Sequence, residues 1–173
     1  KSKHYIVSSL MITIFVQTDR IMIKLMVGDE ANGYYASAVN CSNITSFVFA
    51  ALIDSFRPSI FEAKKTSESA FKLNMTRLYS IIIYVSLAQC VVITLGAPLI
   101  IKLLYGAEYA PASPALQLIV WYTTFSYLGS VRNIWILSEN KQKYLWILNL
   151  SGALMNVALN AVLIPTWGIM GAS

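Results

Sequence analysis

The sequence predicts an all-α fold, a polytopic membrane helix bundle, and three observations predict it. Of 173 residues, 57% are hydrophobic and only 12% charged, with mean hydropathy +0.61. Soluble domains average about 45–50% apolar and about 25% charged. A chain this long could bury a sizeable core in water, but so little charge would not cover its outside. Second, the apolar residues gather into runs long enough to cross hydrocarbon, which takes about 20 helical residues. Third, the basic residues concentrate in alternate loops, as they do where one side of a membrane faces the cytoplasm.

The elements follow in order. Lys1 to His4 is a basic lead-in to a first span at 5–27. Gly28-Asp29-Glu30-Ala31-Asn32-Gly33 is a polar reversal with glycines where the chain must turn. The second span covers 34–60; Arg57-Pro58 lies near its end, because a proline disfavours helix at the residue before it. Residues 62–77 are polar and basic with apolar residues interspersed, which predicts an interfacial helix for part of the segment. The third span is 78–104, with Pro98 expected to kink it or end it early. A tyrosine-rich loop at 105–111 suits a membrane interface. The fourth span is 115–137 and the fifth 144–164, closed by Pro165-Thr166-Trp167-Gly168. Residues 169–173 look like the start of a sixth helix. The chain opens without Met and stops in mid-pattern, so it reads as one membrane domain, 1–173, of a longer protein.

The net charge of +5 would suggest nucleic acid for a soluble chain; here it is loop charge, and no nucleic-acid partner is expected. With the first loop cytoplasmic, that side holds Lys1, Lys3, Lys64, Lys65, Lys72, Arg77, Lys141 and Lys143. The other side has Lys102 and Lys24, both near helix ends where a long side chain can snorkel to water. Cys41 and Cys90 fall inside spans, so no disulfide is expected.

Charges within the spans carry the functional signal. An ionised side chain at the bilayer centre costs on the order of 3 kcal/mol on insertion scales, yet Asp19 and Arg20 sit inside the first apolar run. At about 100° per residue, Ser9, Thr13, Gln17, Arg20 and Lys24 fall within an arc of about 80°, a polar stripe down one face. Asp19 points elsewhere and should meet a partner on a neighbouring helix, with Arg20 or Arg132 the structural alternatives to an ion-coupling role. On the second helix Asn40, Asn43, Asp54 and Arg57 line one side, with Asp54 and Arg57 spaced to pair. Asn149, Gly152, Asn156 and Asn160 share a face of the fifth, where simple interhelical contacts are the competing reading. The fourth carries Arg132 toward its cytoplasmic end. The candidate pathway residues are therefore Gln17, Arg20, Lys24, Asn40, Asn43, Arg132, Asn156 and Asn160, with Asp19 a candidate for ion coupling.

Enzyme motifs are missing from the sequence. There is no phosphate-cradling glycine loop, no metal-binding His pair and no Cys pair at zinc spacing. His4 is the sole histidine, which argues against a Cys/His nucleophile. No cofactor and no metal are expected, and the chain is not expected to be an enzyme.

Several short motifs are familiar as a set. Asp19-Arg20 late in a span, then Gly33-Tyr34-Tyr35 with Ala36 and Ala38, resembles the seventh and eighth helices of polysaccharide-unit flippases. Leu104-Tyr105-Gly106 and Tyr109-Ala110 match the turn before their tenth helix, and Asn156, Leu159-Asn160, Leu163-Ile164-Pro165, Gly168 and Gly171-Ala172 resemble the end of their eleventh. The chain thus resembles a Wzx-type polysaccharide or O-antigen unit flippase of the multidrug/oligosaccharidyl-lipid/polysaccharide exporter superfamily. The resemblance implies most of the C-terminal lobe of a transporter with two lobes that rock to alternate access. It implies a bacterial inner-membrane location and a cytoplasmic N-terminus for this chain. The cargo it implies is an undecaprenyl-pyrophosphate-linked oligosaccharide, flipped for O-antigen, capsule or exopolysaccharide synthesis. Membrane lipids, a polysaccharide polymerase and a chain-length regulator are the further partners.

The rival readings are a drug/cation antiporter or a lipid II flippase of the same superfamily, and a membrane-embedded polymerase or ligase. A cation exporter would favour acids inside the bundle, whereas Arg20, Lys24 and Arg132 are basic. A polymerase or ligase would normally place its catalytic groups in a long external loop, and the external loops here are short.

Overall fold

A computed structural model describes residues 17–173, and every regular element among them is helical. The first, α1, covers 17–26. It is followed by α2 (Asp29–Asn43), α3 (Ser46–Thr66), α4 (Glu68–Tyr105), α5 (Ala112–Ser138) and α6 (Lys143–Trp167). Short 3-10 turns at Ala107–Tyr109 and Gly168–Ala172 complete the chain. Three helical runs are long and apolar enough to cross a membrane: Asp29–Thr66, which joins α2 to α3, then Glu68–Tyr105, then Lys143–Ala172. The first expected span lies largely outside the described residues. The fourth, as α5, is long enough but falls short in apolarity, because Ser113, Gln117, Thr123, Thr124, Ser126, Ser130 and Arg132 interrupt it.

That polarity has a structural reason. α5 lies at the centre, against α4 along most of its length and also against α2 and α3. It buries Ala112, Ala115, Leu116, Ile119, Val120, Val131 and Ile134, together with Thr123 and Thr124. Packing between helices in lipid draws on close fit and interhelical hydrogen bonds rather than hydrophobic expulsion. Accordingly, Cys90 Sγ lies 3.1 Å from Thr124 Oγ1, and Trp121 Nε1 donates to Thr94 Oγ1 at 3.1 Å. The outward faces of α4 and α6 carry Tyr84, Leu95, Leu99, Leu103, Leu154 and Val162, all well exposed.

α4 shows how the apolar pattern becomes packing. Phe71, Met75, Leu78, Ile82, Ser86, Cys90, Ile93, Ala97 and Ile101 are its buried residues, each three or four from the last. They form a single face of the helix. The lower part joins Phe49, Ile53, Ile60, Val131 and Ile134 in one cluster. The upper part joins Ile23, Tyr35, Ala38, Leu116, Val120 and Ile164 in another.

Several expected boundaries are corrected. Pro98 neither ends nor interrupts α4, which runs on to Tyr105. A proline leaves the carbonyl four residues back without its helical donor, and here that carbonyl, Thr94 O, receives Gln117 Nε2 from α5 at 2.9 Å. A neighbouring side chain has replaced the missing bond, as membrane helices allow. α3 likewise continues through Pro58 to Thr66, and α6 passes Pro165 to end at Trp167. The segment 62–77 forms no separate helix. It is the last turn of α3, a sharp reversal at extended Ser67 (φ −160°, ψ 146°) and the first turns of α4. The Ser67 hydroxyl accepts from Ala70 N at 3.1 Å and caps α4. The residues expected to begin a sixth helix form the 3-10 turn Gly168–Ala172.

The second expected span is broken in its middle, between α2 and α3. Ser46 Oγ donates to Asn43 O at 2.7 Å and Thr45 Oγ1 to Ser42 O at 3.4 Å, so local hydroxyls compete for helix carbonyls. Val48 N bonds Thr45 O, three residues back, at 3.0 Å. Gln89 of α4 donates to Thr45 Oγ1 at 2.7 Å and holds the break against the bundle.

Candidate functional site

Among the described residues, most of the candidate site residues fall in two polar regions. The first joins α1, α2, α6 and the C-terminal turn around Asp19. Asn160 Nδ2 donates to Asp19 Oδ1 at 2.6 Å and lies 3.2 Å from Asn156 Oδ1. The four-residue spacing of Asn156 and Asn160 puts both amides on one face of α6, and Asn160 is one of the two residues α6 buries. The Tyr35 hydroxyl lies 3.3 Å from Asp19 Oδ2 and 3.0 Å from the Ala172 carbonyl. Its single proton serves one of these acceptors at a time. Asp19 thus finds the neighbouring-helix partner expected of it, but that partner is neutral. Among the described residues no Lys or Arg forms an ion pair with it.

Arg20, one residue on, is rotated about 100° from Asp19. It is half-buried and donates through Nη2 to Asn40 Oδ1 at 3.3 Å. An amide oxygen satisfies one of the five guanidinium donors and leaves the charge uncompensated. Gln17 lies one turn back on the exposed side. Lys24 goes another way: it pairs with Asp29 at 2.9 Å on an exposed turn, so the stripe's second cation is neutralised there.

The second region is a groove between α3 and α5, about 410 Å³ in volume. Asn43 stands at the break between α2 and α3 and lines it, as do Asp54 and Arg57, which pair at 3.0 Å as their spacing required. α5 contributes Tyr122, Thr123, Ser126, Tyr127 and Ser130. Arg132 lies beyond them, exposed, with Nη2 3.4 Å from Asn133 Oδ1. The structure therefore brings Asp19, Asn156 and Asn160 together, joins Arg20 to Asn40, and leaves Lys24 and Arg132 apart from both.

Tyr35, read only as part of the Gly33-Tyr34-Tyr35 motif, and the α5 hydroxyl series were not among the candidate site residues. Positions 123, 126, 127 and 130 recur at the spacing of one helix face, which is the signal that could have found them. Tyr35 gave no such signal: its role rests on α1, α2 and the C-terminal turn meeting, which is a tertiary fact.

The comparisons with known proteins agree with a membrane chain of this kind. An uncharacterised membrane protein of Methanocaldococcus jannaschii is 27% identical over 163 residues, which cover 90% of this chain and 31% of that protein. The chain thus spans about a third of the length of the relative it matches. No solved structure matches it. Residues 2–114, well over half of the chain, match the polysaccharide biosynthesis protein family, and the chain belongs to that family.

Proposed function

We propose that this chain is one lobe of a transporter that flips a polyprenyl-pyrophosphate-linked oligosaccharide unit across the cell membrane. On this reading it is a Wzx-type flippase rather than an enzyme. The apolar run 5–27, whose described end is α1, and α5 cross the membrane with the three more apolar runs, and the N-terminus lies on the cytoplasmic side. The observation that carries the reading is Arg20, half-buried within a hydrocarbon-length run, whose hydrogen-bond partner among the described residues is the neutral Asn40. An uncompensated guanidinium at that depth is costly unless it serves a hydrated path or an anion, and a pyrophosphate is an anion that a planar guanidinium fork can bind. Membership of a polysaccharide biosynthesis family supports the same cargo.

Asp19 supports a second part of the mechanism. A half-buried carboxylate held by an amide and a phenol, with no cation paired to it among the described residues, suits a group that takes up a proton or small cation as the lobes rock. That feature also suits a drug/cation antiporter of the same superfamily, so export of both cargo classes must be measured.

In the full-length protein, Arg20→Ala should reduce surface-polysaccharide export at least about tenfold, since a charge-assisted hydrogen bond contributes about 1.5–3 kcal/mol. Membrane abundance should be unchanged, and Arg20→Lys should restore export in part because it keeps the charge without the fork. Complementation of a flippase-deficient strain is the measurement. Normal export by Arg20→Ala, or drug efflux without polysaccharide export, would overturn the proposal.

A further inference from the structure

We propose that the groove between α3 and α5 receives the uncharged sugar residues of the lipid-linked unit, apart from its phosphates. This rests on the transport reading above and assigns different parts of the cargo to different parts of the seam.

Charge is the first argument. Arg20 carries an uncompensated positive charge, whereas the groove's own cation, Arg57, is paired with Asp54 at 3.0 Å. The groove is therefore close to neutral and has little attraction for a pyrophosphate. The pair still offers the remaining guanidinium N–H donors and carboxylate lone pairs, and a sugar hydroxyl, being donor and acceptor at once, can use both.

The second argument is an unused hydroxyl. The Tyr127 ring stacks on buried Phe49, with centroids 3.9 Å apart and planes 8° from parallel, which fixes its position. Tyr127 lines the groove, and its hydroxyl, shielded from solvent in this arrangement, has no hydrogen-bond partner among the described residues. Buried polar atoms are rarely left unpaired without a reason. Ser126 and Asn43 add small polar groups beside it, and the Tyr122 ring, well exposed, gives a flat face for the apolar side of a sugar. The volume, about 410 Å³, lies within the ordinary range for small-ligand sites.

Position is the third. Asn40, which accepts from Arg20, and Asn43, which lines the groove, are three residues apart on α2, about one helical turn. A ligand with phosphate at Arg20 can extend its sugars toward the groove from there.

The test uses purified full-length protein and two probes: undecaprenyl pyrophosphate alone, and the same lipid carrying a neutral trisaccharide. The wild type should bind the sugar-bearing lipid about tenfold more tightly, the worth of one or two net hydrogen bonds. Ser126→Leu, which fills the groove, should shrink that difference to less than about threefold and leave the affinity for bare lipid unchanged. Should the leucine variant misfold, the double variant Asp54→Ala, Arg57→Ala, which removes the paired donors and acceptors together, should narrow the difference instead. Arg20→Ala should weaken both lipids equally. Equal binding of the two lipids by the wild type, or a difference that survives both groove variants, overturns the groove assignment alone. Failure of the wild type to bind either lipid overturns the transport reading with it.

Discussion

Lys64 reaches two carboxylates from different segments: Glu68 at the start of α4, at 3.0 Å, and Glu139 in the turn after α5. Its ammonium also sits 4.5 Å from the Phe71 ring centroid. One side chain thereby ties two chain reversals, the one between α3 and α4 and the one after α5. The Lys64 hydrogen bond holds the Glu139 carboxyl below its ordinary value of 4.5. A carboxyl with a depressed folded-state pKa stabilises above its ordinary value and loses that contribution as pH falls through the folded-state value. Glu139→Gln should therefore melt a little below wild type at pH 7, and the gap should close as the pH is lowered toward 3. A constant gap in melting experiments across that range would show that the ion pair contributes nothing. At this scale the sequence was legible where partners are local, as with Asp54 and Arg57. It was not legible where the partner is distant: Asp19 and Asn160 are separated by 141 residues, and no local spacing announces their contact.

At the scale of elements, two glycines make opposite demands. The turn Gly168–Ala172 folds back on the end of α6 so closely that a Cβ on Gly171 would lie 2.3 Å from the Leu163 carbonyl oxygen. Backbone cannot step aside as a flexible side chain can. Gly171→Ala should therefore cost about 1–3 kcal/mol, the usual range for forced overpacking, and should displace the Ala172 carbonyl from Tyr35. A Cβ on Gly152, in mid-α6, would meet nothing within 4 Å. Gly152→Ala should accordingly be neutral or slightly stabilising in the same thermal-unfolding assay, helped by alanine's better helix propensity. Gly106 is a third case, decided by conformation: its φ of 96° ends α4 in a region that side chains disfavour. The prolines teach the converse. Pro58 and Pro165 were read as lying at helix ends and Pro98 as a kink or an early end, yet α3, α4 and α6 run on past them. At Pro98 the reason is a donor from another helix, Gln117, which no reading along one segment reveals.

For the whole molecule, the arrangement of basic residues gives a proposal about orientation that can be measured directly. Lys72 lies near the start of α4 and Glu108 just beyond its end; that 38-residue helix is about 57 Å long at the usual rise. Both cysteines of this chain are buried and should add little background labelling. In intact cells, Glu108→Cys in the full-length protein should react with a membrane-impermeant maleimide, and Lys72→Cys should react only after permeabilisation. The reverse pattern would invert the topology. By itself, the sequence determined that the chain is helical and membrane-bound, which runs are apolar, and which helix faces are polar. Those follow from composition and periodicity, and every residue contributes to them independently. Only the tertiary structure decided that Arg20 meets Asn40, that Asp19 meets Asn160 and Tyr35, and that α3 and α5 enclose a groove. Those depend on how helices distant in sequence are rotated against one another, and in lipid that rotation is set by packing and interhelical hydrogen bonds that no single run contains.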